Sequence, residues 1–282
     1  MESFWLCKGK PSLRRRSLDS EWPLKTTWVD ARSVFISDLH LGWSSSRPAR
    51  ALDALEQMQP DRLYLVGDTF EWLSGACDFA HPDVQRLLQR LHALDRRGCE
   101  ISLLAGNHDY QLVESRGRLP WPIVSHALHK TADGRCYLVL HGDVFDCSVT
   151  TGSDLVRDMG SKLYPALVMA GHLLQTLSPA PIREHRGARI GHWAMHWKMR
   201  SKRVLEHLDA FERYMVDLAA SHGCDGVICG HIHVPSVKRR EVGAYFNCGD
   251  WVENQSFLWE SPDGWMELTH CDATQTARRN VA

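Results

Sequence analysis

No CxxC pair is found among the nine cysteines of this 282-residue chain, which sit at positions 7, 77, 99, 136, 147, 224, 229, 248 and 271. That removes the usual spacing of a thiol metal or redox motif, and most of these cysteines lie inside apolar stretches such as "CEISLL" and "VICG". They read as reduced, packed thiols of a cytoplasmic protein. Charge of one sign is also missing: 33 basic residues stand against 34 acidic ones, for a formal net charge of -1. So balanced a chain has no global field for nucleic acid or an anionic bilayer. Nucleic acid is therefore not an expected partner, and any basic surface must be local. Nor is there a long hydrophobic run. Lys8, Lys10 and Arg14 to Arg16 precede Ala31, but no apolar stretch follows them, which argues against a signal peptide or a spanning helix. No internal repeat is visible.

What is present is a length and a hydrophobic content of 44% sufficient for one large α/β domain or two small ones. Sixteen histidines and eleven tryptophans are the unusual part of the composition. Position decides what the histidines mean, and several fall at the ends of predicted strands.

Residues 1–30 are mixed and basic and read as a poorly ordered arm. From Ala31 the rhythm becomes α/β. "SVFIS" predicts a short strand, "RPARALDALEQM" a helix with Ala51, Leu52, Leu55 and Met58 on one face, and "RLYLVGD" the next strand. "HPDVQRLLQRLHALDRRG" predicts an amphipathic helix, with Pro82 near its start and Gly98 just past its end. A third strand follows in "CEISLLAGNHD". In "ALHKTADGRCYLVLHGD" the pair Asp133-Gly134 suits a tight hairpin turn. An insertion of helical character is expected over about 150–222, after which the sheet resumes at "DGVICGHIH", "SVKRREVGAYFNCGDW" and "SFLWESPDGWMELTH". The domain is thus expected to run from 31 to 272, with 273–282 a loose polar tail. Strands alternating with helices predict parallel pairing, and ligands in such sheets gather at the carboxyl ends of the strands.

The stretch "SDLHLG" at the end of the first strand places Asp38 and His40 two positions apart. In an extended chain such residues face the same side and converge on one point. Four further polar clusters end apolar runs in the same way: Asp68 in "VGDTFE", Asn107, His108 and Asp109 in "AGNHD", His141 in "LHGD", and His231 and His233 in "CGHIH". Gly67, Gly106, Gly142 and Gly230 adjoin four of the five and permit sharp turns and close backbone approach. Five such clusters in order suit two adjacent metal ions held by mixed oxygen and nitrogen ligands. Asp68 is the candidate bridge, because a shared carboxylate offsets the repulsion between two cations. Two such ions should lie about 3.5 to 4 Å apart. Mn²⁺ is the expected occupant, with Fe and Zn as alternatives, because carboxylates suit Mn while imidazoles accept all three. Asp109 either holds His108 in one tautomer and orientation or caps a turn; the residue types leave both open.

With these residues in place the chain resembles the calcineurin-like metallophosphoesterase superfamily, whose pattern is D-x-H, GD, GNH[DE], H and GHxH. The resemblance implies an α/β fold, a four-layer α/β/β/α metallophosphoesterase sandwich with a helical lid insertion. It implies that Asp38, His40, Asp68 and His233 hold one ion, and Asp68, Asn107, His141 and His231 the other. His108 would not be a ligand but would stabilise charge at the scissile phosphate or protonate the leaving oxygen. "GDTFEW" and the "HGD" at His141 are similar to the branch of UDP-2,3-diacylglucosamine hydrolases, over roughly Val34 to Leu268. That branch cleaves a lipid-bearing UDP-sugar to UMP and 2,3-diacylglucosamine 1-phosphate in lipid A biosynthesis, with an inserted helical lid around the acyl chains. The hydrolases that define it carry arginine where this chain has His108. Relatives bearing GNHD share endings like "GVICGHIH" and "FNCGDWVE".

Two readings of the insertion stay open. "LYPALVMAGHLLQTL" has the apolar content of an acyl-binding lid, and equally that of a packed helix. "HWKMRSKR" (His196 to Arg203) suits either a solvated helix face or peripheral contact with a bilayer surface. The expected partner is a small molecule, a lipid-linked nucleotide in the favoured case, against a more general phosphodiester or phosphatase substrate. A non-catalytic scaffold should have lost ligands or the auxiliary histidine, and none is missing.

Overall fold

The computed structural model describes residues 30–71, 79–109, 120–149 and 202–271. The basic arm, most of the insertion and the polar tail lie outside them. In chain order the elements are β1 (Ser33–Ile36), α1 (Pro48–Glu56), β2 (Arg62–Val66), α2 (Pro82–Arg96), β3 (Glu100–Leu104), β4 (Ile123–Val124), β5 (His126–Lys130), β6 (Cys136–Leu140), α3 (Val144–Val149), α4 (Lys202–Ser221), β7 (Gly226–Cys229), β8 (Ser236–Arg239), β9 (Ala244–Asn247), β10 (Ser256–Glu260) and β11 (Met266–His270).

Two sheets result, ordered β11-β10-β1-β2-β3-β4 and β5-β6-β7-β9-β8. Their centres are parallel, β1 to β2 to β3 in one and β6 to β7 to β9 in the other, while β10, β11, β5 and β8 pair antiparallel at the flanks. Parallel central strands covered on both faces read as continuous apolar runs, and "SVFI" of β1 is buried at all four positions.

The strand period of two sorts these residues into layers. Val34 and Ile36 of β1, Leu63 and Leu65 of β2, and Ile101 and Leu103 of β3 face α1 and α2. Phe35, Tyr64, Val66 and Leu104 point the other way, into a core shared with Tyr137, Val139, Ile228 and Phe246 of the second sheet. Leu138, Leu140, Val227, Cys229 and Tyr245 then face Phe211, Met215 and Ala219 of α4. Helices, sheet, sheet and helix are therefore stacked in four layers, as the family resemblance implies.

Local chemistry explains the helix ends. Pro82 opens α2, whose N-cap His81 accepts a hydrogen bond from the backbone of Asp83, and Gly98 takes φ 93° beyond its end. Arg90 of α2 donates to the carbonyls of Leu55 (2.8 Å) and Met58 (2.7 Å), so the last turn of α1 is capped by its neighbour. Asp133 and Gly134, at φ 90°, form the expected turn between β5 and β6. At the amino ends of the strands, buried Glu260 of β10 takes Arg32, Ser33, His129 and the backbone of Ala132, tying the two sheets together. No helix of the described residues is long and apolar enough to cross a membrane. The opposite ends, where β1, β2, β3, β6 and β7 finish, carry the five polar clusters.

Candidate metal centre

The chain does not stay extended through "SDLH". β1 stops at Ile36, and Asp38 and His40 turn into the left-handed region at φ 53° and 45°. Their convergence is therefore set by two kinks and not by strand alternation. Asp68 (48°), His231 (70°) and His233 (54°) adopt the same conformation, and Gln255 (50°) is the only other non-glycine residue described with positive φ. Each such residue costs about 1 kcal/mol, and such strain concentrates where surroundings over-determine the backbone. Here the loops after β1 and β2 hold one another. The backbone N–H groups of Asp38, His40 and Leu41 donate to the carbonyls of Gly67 (3.1 Å), Asp68 (2.9 Å) and Thr69 (2.9 Å).

Two glycines leave room for the carboxylates. A Cβ on Gly106 would stand 2.2 Å from Asp68 Oδ1, and one on Gly230 would stand 2.4 Å from Asp38 Oδ2. In its place the backbone approaches closely. His108 N–H donates to Asp68 Oδ1 (2.8 Å), and His231 N–H donates to Asp38 Oδ2 (3.1 Å).

The inner atoms converge. His233 Nε2 lies 3.1 Å from Asp38 Oδ1, and His141 Nε2 lies 3.2 Å from Asp68 Oδ2. His40 Nε2 stands 3.9 Å from both carboxylates, and His108 Nε2 stands 3.9 Å from Asp68. Three groups able to hold a cation follow: Asp38 with His40 and His233, Asp38 with Asp68 and His141, and Asp68 with His40 and His108. Asp38 Oδ1, His40 Nε2, Asn107 Oδ1 and His141 Nε2 are buried without a well-aligned hydrogen bond. An orphaned buried polar atom costs about 1–3 kcal/mol. The lone pairs of Asp38, His40 and His141, gathered in one place, fit divalent cations. His231 stays outside these groups; its Nε2 lies 3.0 Å from Asp146 Oδ2, and its ring is 5.1 Å from that of His141.

Outer atoms orient the imidazoles, as supporting carboxylates and carbonyls do around metal ligands. One oxygen of Glu71, Oε2, stands 3.0 Å from His40 Nδ1 and 2.8 Å from His108 Nδ1, the second off the axis of an ideal hydrogen bond. His141 Nδ1 sits 3.0 Å from the carbonyl of Val66. Glu71 was missed as a functional residue, although it closes the "GDTFE" stretch; nothing in one sequence says which carboxylate a histidine will meet. For Asp109 the sequence leaves two readings open. Its carboxylate accepts from the backbone N–H groups of Thr69 (3.0 Å) and Phe70 (2.9 Å), so of its two readings the structure displays the turn-fastening one. The outer nitrogen of His108 belongs to Glu71.

The electrostatics match this layout. Burial pushes the Asp38 carboxyl up, but the facing His233 outweighs it and brings Asp38 down to about 2. Burial likewise opposes, and His141 overcomes, so that Asp68 falls below the usual carboxylate range. Glu71 drops to about 2 against its burial, through the imidazoles of His108 and His40. Asp109 is pushed up to about 7 by burial and by the charge of Asp68. Burial lowers the histidines, but Asp68 lifts His141 to about 10, Asp38 lifts His233 to about 9, and Glu71 with Asp68 raises His108. A dense negative charge draws protons onto these imidazoles, and a cation would displace them.

Strand-end carboxylates and imidazoles gathered about Asp38 and Asp68 suit a metal-dependent phosphohydrolase. Residues 31–235 match the family described as Calcineurin-like phosphoesterase, and the chain belongs to that family. It is 28% identical over 252 residues to a protein of Xanthomonas axonopodis pv. citri named UDP-2,3-diacylglucosamine hydrolase, covering 82% of this chain and 96% of that one. Proteins of the same name from Stenotrophomonas maltophilia (29% identical, 83% of this chain and 96% of the other) and Klebsiella pneumoniae (28%, 84% and 98%) are similar to the same extent.

Proposed function

We propose that this chain cleaves the pyrophosphate of UDP-2,3-diacylglucosamine to UMP and 2,3-diacylglucosamine 1-phosphate, using two divalent ions that Asp68 and its neighbouring ligands would hold. The observation that carries the reading is the convergence of Asp38, His40, Asp68, His141 and His233, in which Asp38 Oδ1, His40 Nε2 and His141 Nε2 are buried without a well-aligned hydrogen bond. Asp38, His40, Asp68 and His233 are assigned to one ion, and Asp68, Asn107, His141 and His231 to the other. Carboxylate, amide and imidazole donors suit Mn²⁺, with Fe and Zn as alternatives. When bound, such ions activate water and neutralise charge developing on the phosphoryl oxygens.

The chain's own groups do the rest. His108 has Nε2 3.9 Å from Asp68 Oδ2 while Nδ1 faces Glu71, a placement from which it would supply a proton to the leaving oxygen of a phosphate bound at the ions. Asp109 holds the loop after β2 through two backbone hydrogen bonds and so fixes Asp68 from behind. The lipid substrate is supported by the name shared by relatives that match over nearly their whole length. The stretch "LYPALVMAGHLLQTL" has the apolar content that acyl chains need. We place the activity in the cytoplasm, with "HWKMRSKR" as the segment for peripheral contact with the inner membrane.

Release of UMP from UDP-2,3-diacylglucosamine, set beside hydrolysis of bis-para-nitrophenyl phosphate, tests the reading. Metal-dependent UMP release supports it. Turnover of the generic diester without UMP removes the lipid substrate and leaves a general phosphodiesterase; turnover of neither removes the hydrolase.

A further inference from the structure

His231 is the one assigned histidine that stands apart from the three convergent groups, and its surroundings say why. Its Nε2 lies 3.0 Å from Asp146 Oδ2, on the short α3 that leaves the end of β6 just after His141. The Asp146 side chain is half exposed, but the helical turn that carries it is anchored. Its neighbour Phe145 is buried with its ring 5.3 Å from that of Phe211 on α4, edge to face. Phe211 lies 6.3 Å from the ring of His231 and also backs onto Gly142, where a Cβ would come within 3.0 Å of its Cζ. The backbone of α3 is fastened by Phe145 N–H to the Gly142 carbonyl (3.1 Å) and Asp146 N–H to that of Asp143 (3.0 Å). The backbone that carries Asp146 is thereby held against the aromatic ring that backs His231.

We propose that Asp146 is a positioning residue for His231, fixing the tautomer with hydrogen on Nε2 so that Nδ1 carries the lone pair offered to the second ion. This rests on the two-ion reading above. His141 shows the complementary arrangement: its Nδ1 is held by the Val66 carbonyl, which leaves Nε2 as the inward atom, 3.2 Å from Asp68. Partners of this kind fix ring orientation and ligand basicity, and their loss typically weakens a metal about 10- to 100-fold. The opposite role, a latch that draws His231 away from the ion, makes the opposite prediction.

The test is Mn²⁺ titration of the stripped full-length protein by calorimetry, with His231→Ala as the reference for loss of the second site. Imidazole ¹⁵N shifts of the metal-free protein report the His231 tautomer independently of activity. Wild type is expected to take two ions. Asp146→Ala should weaken one of them roughly 10- to 100-fold, the site that His231→Ala also weakens, and should shift His231 away from the Nε2–H form. Asp146→Asn, which keeps an acceptor oxygen, should recover most of the loss. Two ions bound to Asp146→Ala with unchanged or greater affinity overturns the proposal alone. Wild type that takes no ion overturns it together with the two-ion reading.

Discussion

Oε2 of Glu71 stands 2.8 Å from Nδ1 of His108, and with the charge of Asp68 it raises the imidazole against the lowering effect of burial. The protonated form is thereby favoured. If His108 acts as the acid, activity is present below its pKa and falls as pH rises through it. Glu71→Gln removes the charge and should move the alkaline limb of the kcat/KM profile on bis-para-nitrophenyl phosphate to lower pH. A limb that stays in place separates Glu71 from the chemistry.

Replacing His108 with alanine should lower kcat about 10²- to 10⁴-fold while the metal content of the protein stays that of the wild type. Elemental analysis beside the rate measurement checks both halves. Loss of metal together with rate would make His108 a ligand.

Because His141 rises to about 10 and His233 to about 9 in the metal-free protein, both carry protons at neutral pH. Binding of divalent cations at pH 7 should therefore release roughly two protons, and affinity should fall as pH is lowered. Calorimetry in buffers of differing ionisation enthalpy reads the release directly. Heats independent of the buffer would contradict it.

Gly230→Ala drives a Cβ to within 2.4 Å of Asp38 Oδ2, and Gly106→Ala one to within 2.2 Å of Asp68 Oδ1. Neither carboxylate has a flexible stem on which to retreat. Each variant should lose metal and at least 10²-fold in rate, with a stability loss of about 1–3 kcal/mol. Denaturant unfolding beside metal analysis decides whether the effect is local to the site.

Away from the site, Glu260 falls to about 2 although burial opposes it, because His129, Ala132 and Ser33 hold its charged form. A folded pKa below the unfolded 4.5 gives stability that is present above pH 4.5 and is lost as pH falls toward 2. For this fully buried carboxylate the difference is worth about 3 kcal/mol. Glu260→Gln should destabilise the protein by roughly that amount at pH 7 and flatten its acid dependence over that window. Melting temperatures from pH 7 to pH 2 test it.

Much of this was legible in the sequence because local chemistry and layer burial agree. Val34 and Ile36 face helices while Phe35 faces the second sheet, and an unbroken apolar run is how a strand covered on both faces must read. Asp133-Gly134 gave its turn, and Gly98 the end of α2. The polar residues at strand ends include the six that the fold gathers, Asp38, His40, Asp68, His108, His141 and His233, but they do not give the reason Asp38 and His40 converge, since left-handed kinks at non-glycine residues leave no mark on a sequence. The partners of the imidazoles were illegible for another reason. Glu71 lies 37 positions from His108 and Asp146 lies 85 positions from His231, and only the packing of loops chooses which carboxylate meets which ring.

Anomalous diffraction at the manganese edge, from crystals grown with Mn²⁺, tests the central claim most directly. The account predicts two peaks that share the Asp68 carboxylate, one beside Asp38, His40 and His233 and the other beside Asn107, His141 and His231. A single peak, or none, at a protein that still hydrolyses phosphodiesters would contradict it.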